Sequence, residues 1–180
     1  MLAFVAAAWP SWLDAEGMPM VAFRVNKDQK SALLHGVELF SSCTKDELRR
    51  IGSLTTPVEA KAGTLLARQG QPGQEFFVVI EGTAVATRNG RELHRHGPGS
   101  FFGEMALLDG GERTATVDAL TDMHLLVLTR NEFMTLQETA PSVAFKLLVG
   151  LGARLRKADQ VIDELLEGQV PVFLPTFWKL

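Results

Sequence analysis

One cysteine, Cys43, stands in 180 residues. So low a count excludes an intrachain disulfide framework, a cysteine-based zinc knuckle and a four-cysteine iron–sulfur cluster. It suits a reducing cytosol, and a cytoplasmic location is expected. Positive charge is not in excess either: the net charge is −3 and the pI near 5.8. No basic field draws nucleic acid or anionic lipid to the surface, so direct nucleic-acid binding is not expected and any anion must be held by a local site. Long hydrophobic runs are missing as well. Met1 to Trp9 is apolar, but no Lys or Arg precedes it and Pro10 stops it. It is too short to cross a bilayer and wrongly flanked for a secretory signal, so no membrane association is expected. No nucleophile and base stand at a recognisable spacing, and no enzyme is expected.

What is present suits one soluble domain. Hydrophobic residues make up 46% and charged residues 22%, enough for a core with extra helices. Residues 1–25 read as an apolar, disordered lead-in, residues 26–168 as the domain proper with a C-terminal helix over 141–167, and residues 169–180 as an apolar tail interrupted by Pro171 and Pro175. Lys27 to Leu54 is patterned as helix, broken at Gly36, and Thr44 with Glu47 three residues later predicts a capping box. After Pro57 the pattern changes to short strands: Val58, Leu65–Leu66, Phe76 to Ile80, Thr83 to Thr87, Glu92 to His96, Arg113 to Ala119 and Met123 to Leu128. Asn89-Gly90 predicts a type I′ hairpin, which needs positive φ at both positions. Asn131 to Glu138 returns to helix. The fold class expected is mainly β with flanking helices, a jelly-roll-like β-roll (double-stranded β-helix) with N-terminal helices and a long C-terminal one.

Pro141 to Glu167 carries Leu148, Leu151, Leu155, Ala158, Ile162 and Leu165 at alternating spacings of three and four. That is the seam of a coiled coil, and a homodimer through residues 148–165 is the expected assembly. Gly150 and Gly152 weaken the helix and predict a bend or a close approach.

The densest chemistry lies in Phe102-Gly103-Glu104-Met105-Ala106-Leu107-Leu108 and the following Arg113-Thr114-Ala115. Gly103 has no β-carbon to keep a ligand off the backbone. The stretch after it makes one helical turn whose leading N–H groups face an anion. Glu104 offers an acceptor for a sugar hydroxyl, Arg113 a planar fork for phosphate oxygens, and Thr114 a hydroxyl and a further N–H. His94 and His96 alternate on one strand; two histidines without a third ligand read as surface residues and not as a metal site. Arg68, Arg88 and Arg91 read as solvated strand and turn faces.

These residues resemble the cyclic nucleotide-binding domain family, the module of the bacterial catabolite activator, of regulatory subunits of cyclic-AMP-dependent kinase and of cyclic-nucleotide-gated channels. The likeness runs from about Leu39 to about Arg156. It rests on Ala62-Gly63-Thr64-Leu65-Leu66, Gln69 to Gly73, Phe76 to Gly82, Gly97-Pro98-Gly99 and the cassette from Phe102 through Ala115. The resemblance implies that the ligand is cyclic AMP or cyclic GMP, with no further cofactor. It implies that Glu104 accepts from the ribose 2′-hydroxyl, that Arg113 holds a phosphate oxygen, and that the N–H groups of Gly103, Ala106 and Ala115 complete the anion nest. Phe102, Met105 and Thr114 join the ligand-binding set. Against the activator, no winged helix-turn-helix is expected after the long helix. An ungapped alignment puts Ala158-Asp159 where two hydroxyl residues contact adenine, which makes Asp159 a candidate base contact and leaves the base open.

The function expected is therefore a regulatory module that binds a cyclic nucleotide and signals through helix rearrangement to a partner, an unidentified effector protein. Two alternatives stand beside it. One is an activator-type regulator lacking its own helix-turn-helix. The other is a ligand-silent interaction protein that keeps the fold, although such losses usually delete the arginine or the glutamate, and both are present here.

Overall fold

The computed structural model describes residues 20–22 and 24–167. The expected tail over 169–180 and most of the expected lead-in lie outside the described residues. The end of the lead-in is ordered: β1 (Val21–Ala22) pairs with Glu59 and Val58, and Met20 is buried.

Two antiparallel sheets face each other. One has the order β1, β2 (Thr56–Ala60), β9 (Met123–Thr129), β4 (Glu75–Glu81), β7 (Phe101–Phe102); the other has β3 (Leu65–Ala67), β8 (Thr116–Ala119), β5 (Ala84–Arg88), β6 (Arg91–His96). Side chains alternate across a strand, so β4 sends Phe77 and Val79 into the space between the sheets and Phe76 and Val78 to the other face. Its partner β9 does the same with Leu125 and Val127 against Leu126 and Leu128. Both faces are covered, which is why these strands read as unbroken apolar runs. Asn89 (φ 51°) and Gly90 (φ 77°) make the hairpin between β5 and β6, as expected.

The helices cover the outer face of the five-stranded sheet. The stretch expected as interrupted helix becomes α1 (Lys27–His35), a 3₁₀ turn (Glu38–Phe40) and α2 (Lys45–Leu54), with Gly36 capping α1. Capping boxes open α1 at Asn26–Gln29, α2 at Thr44–Glu47 and α4 (Arg130–Thr139) at Thr129–Glu132. A six-residue α3 (Glu104–Asp109) lies between β7 and β8.

The last helix, α5 (Pro141–Glu167), has two halves. In the first, Val143, Ala144 and Leu147 are buried, and Leu151 packs on the same core. Gly150 accounts for the close approach expected there, since a Cβ would lie 2.9 Å from Leu39 Cδ1; Gly152 has no comparable neighbour. From Ala153 to Leu166 every described side chain is exposed. The seam therefore divides: Leu151 belongs to the chain's own core, while Leu148, Leu155 (64% exposed) and Ile162 do not.

A polar tie fastens the first half. Glu47, already capping α2, also accepts from Lys146 Nζ at 2.6 Å and Ser142 Oγ at 3.2 Å on α5. The Lys146 hydrogen bond, with that of the Thr44 N–H, holds the Glu47 carboxyl down at about 2. A carboxylate depressed in the folded state contributes stability that is full above its unfolded range and is lost as pH falls from there through the folded value. The tie is thus intact at neutral pH. Among the described residues no helix is long and apolar enough to cross a membrane.

Candidate functional site

The short β7, at the edge of the five-stranded sheet, leads through Phe102 to Gly103, and the loop before β8 carries Glu112 to Ala115. Between the two lies a cleft of about 90 Å³, lined by Phe102, Gly103, Glu104, Met105, Arg113, Thr114 and Ala115 among others. Seven of the eight residues expected in the cassette thus share one cavity. The eighth, Ala106, lies in α3 with its side chain outside the described set. Asp159 is exposed on α5 and is not among the residues lining the cleft.

Arg113 was expected to open a strand and does not. Its N–H donates to Gln71 O at 2.8 Å and its carbonyl accepts from Gly70 N at 2.9 Å, so the backbone joins the Gly70–Gln71 loop and β8 begins only at Thr116. Its side chain is buried. It is 6% exposed and meets Glu75, at 3% exposure, a residue whose role the sequence did not reveal. Nη1 donates to the Glu75 carbonyl at 2.8 Å and Nη2 to Glu75 Oε2 at 2.9 Å. A single acidic residue just ahead of an apolar run is a weak signal; only the β4 register shows that it lies behind the cassette.

That contact uses one edge of the guanidinium, the one formed by the two terminal nitrogens. Nε and the second hydrogen of Nη2 form the other edge, and among the described residues nothing accepts from Nε. A guanidinium presents five donors in a fixed fork, so one carboxylate leaves a full edge for a second anion. Burial pushes the Arg113 pKa down, while Glu75 and then Glu104 act to raise it; arginine stays charged regardless.

Two glycines make this arrangement possible. Gly103 has φ of 87°, and a Cβ there would sit 2.5 Å from both Arg113 Nη1 and Glu75 O. At Gly73 a Cβ would lie 2.3 Å from Arg113 Nε. The first needs glycine for conformation and space, the second for space alone.

The floor of the cleft is aromatic. Phe77 stacks on Phe102 at 4.8 Å, and His96 lies 5.0 Å from Phe102. The Arg113 guanidinium carbon sits 5.8 Å from the Phe77 ring. His96 is 4% exposed, which corrects its reading as a surface residue: the β6 register puts it opposite Ala84, on the same face as His94, and there it packs on Phe102. Both His94 and His96 line the cleft. Arg68, Arg88 and Arg91 are exposed as expected, and Arg88 Nε also holds the Thr114 carbonyl at 2.9 Å.

Residues 57–140 match the family described as cyclic nucleotide-binding domain. The N-terminal domain of a transcriptional regulator from Streptomyces coelicolor superposes with a TM-score of 0.60 and 32% identity, over 69% of this chain and 90% of that one. The chain belongs to the cyclic nucleotide-binding domain family. The catabolite activator protein of Thermus thermophilus is 36% identical, with a TM-score of 0.64 over 71% of this chain and 62% of that one. A cyclic nucleotide-gated potassium channel of Mesorhizobium japonicum is 44% identical over 98 residues, or 54% of this chain and 26% of the channel. The chain therefore spans only part of the length of the activator and the channel. Its two sheets and flanking helices form the β-roll of this cyclic nucleotide-binding domain family.

Proposed function

We propose that this chain is a non-catalytic regulatory module that binds cyclic AMP or cyclic GMP in the cassette cleft and passes occupancy to α5 and from there to a partner. The observation that carries the reading is the divided guanidinium of Arg113, one edge spent on Glu75 and the other left for a phosphodiester. Glu104 would accept from the ribose, and the Gly103, Ala106 and Ala115 amides would close around the phosphate. The test is isothermal titration of nucleotide-free protein with each cyclic nucleotide. Saturable one-to-one binding of at least one is expected; no heat with either up to millimolar concentration overturns the reading.

Glu104 also supports a route outward. Besides the cleft, it borders a small apolar void whose walls include Leu108, Phe133, Leu147 and Leu151. A ligand that draws Glu104 inward therefore acts on the packing between α3 and the first half of α5. Such a shift requires the nucleotide to prefer one helix arrangement, and a hundredfold preference supplies about 2.7 kcal/mol.

The exposed face of α5 supports a homodimer. Leu148, Leu155 and Ile162 recur every seven residues on an exposed face, a stripe that a second copy would cover. Asp159 lies on the second half of α5, from which it would reach a base only after α5 moves or across a dimer. Replacing Ile162 and Leu155 together with glutamate is expected to convert a dimer to a monomer in sedimentation equilibrium while the fold's melting transition persists. A chain already monomeric at high micromolar concentration would contradict the assignment.

A further inference from the structure

The histidines on β6 are not accounted for by the phosphate and ribose contacts. His94 is exposed at the rim of the cleft and His96 is buried beneath it, their rings 4.4 Å apart and edge-on. His96 in turn packs on Phe102, so the position of the pair is set by the same aromatic floor that supports Arg113.

The charged groups around His94 come from several elements. On its own strand, Glu92 is bound by Arg95. From β5, Arg88 is turned to the Thr114 carbonyl. The cleft itself contributes Glu104 from α3, with Glu112 and Arg113 from the loop before β8, and Arg113 is already matched by Glu75. A bound phosphodiester adds one more negative charge to this cleft. A positive charge on the imidazole at its rim is then favoured by ligand, and the ligand by that charge.

Resting on the reading of the cleft as a cyclic nucleotide site, we propose that His94 is a further ligand-binding residue and that it takes up a proton as the nucleotide binds. Affinity then falls as pH rises through the imidazole range. Neither the phosphodiester nor adenine changes charge over that range, so the linkage belongs to the protein.

The experiment is titration of the full chain with cyclic AMP from pH 5.5 to pH 8.5, with calorimetry in two buffers of different ionisation heat. Wild-type affinity is expected to weaken about tenfold between pH 6 and pH 8, with net proton uptake at pH 7. His94→Gln, an exposed change that leaves the melting transition in place, is expected to flatten the profile and abolish the uptake. A pH-independent wild-type affinity overturns the proposal and leaves the site reading standing. A slope that survives in His94→Gln overturns the assignment to His94, and His96→Gln would then report whether its neighbour carries the proton. Absence of binding at every pH overturns both the site reading and this inference.

Discussion

Arg113→Ala is expected to abolish nucleotide binding and to destabilise the fold at the same time. On the proposed reading, the binding loss follows from removing the two charge-assisted hydrogen bonds that Arg113 would make to phosphate, each worth about 1.5–3 kcal/mol, which corresponds to roughly two to four orders of magnitude in Kd. The stability loss has a separate cause. Glu75 is buried and its carboxylate faces Arg113 at 2.9 Å. Without the guanidinium it becomes an uncompensated buried charge, a change that costs about 3–5 kcal/mol. Double replacement distinguishes the two effects. Arg113→Ala with Glu75→Gln removes the stranded charge and should recover much of the melting temperature, but no binding. Glu75→Gln alone should keep Arg113 in the cleft and retain measurable affinity. Chemical denaturation and isothermal titration on the four proteins complete the cycle. Equal stability of the single and double arginine variants would show that the buried pair is not the cause.

Phe77→Ala is expected to be the most damaging substitution in the space between the sheets. Phe77 is 0% exposed, stacks on Phe102 and lies under the Arg113 guanidinium. Truncating a buried phenylalanine costs about 3–5 kcal/mol, from lost transfer free energy and the cavity left behind. For a chain of this size that lowers Tm by roughly 6–20 °C. Because Phe102 carries the backbone into Gly103, the same cavity should loosen the cassette and weaken binding measured well below the melting temperature. Phe145→Ala is the control: it is equally large in chemistry but lies on the exposed side of α5, where changes are usually within about 0.5 kcal/mol. A Phe77→Ala protein that melts within a few degrees of wild type would place the core's weight elsewhere.

The parts of this protein readable in advance are those governed by local rules. The capping box at Thr44, the hairpin at Asn89-Gly90 and the start of the long helix at Pro141 each depend on a few neighbouring residues, and each stands where the pattern put it. The cassette was legible for a similar reason: Gly103, Glu104 and Arg113 lie close together in the chain, and they line one cleft. What escaped was pairing across distance. Glu75 lies 38 residues before the arginine it meets. His96 read as a surface residue because alternation alone does not say which face of β6 is inside. Leu151 read as part of a partner-facing seam, although a 3.5-residue repeat cannot tell a helix's own core from a second helix.

The sequence by itself determined most of the elements, the β-roll class and which polar groups gather in the cassette, because spacing, capping and side-chain chemistry are local properties. Tertiary structure alone decided which edge of Arg113 remains for a ligand, which histidine is buried, and where α5 leaves the domain. Those outcomes depend on register between strands and on which apolar face finds a neighbour, and such contacts exist only once the chain has closed on itself.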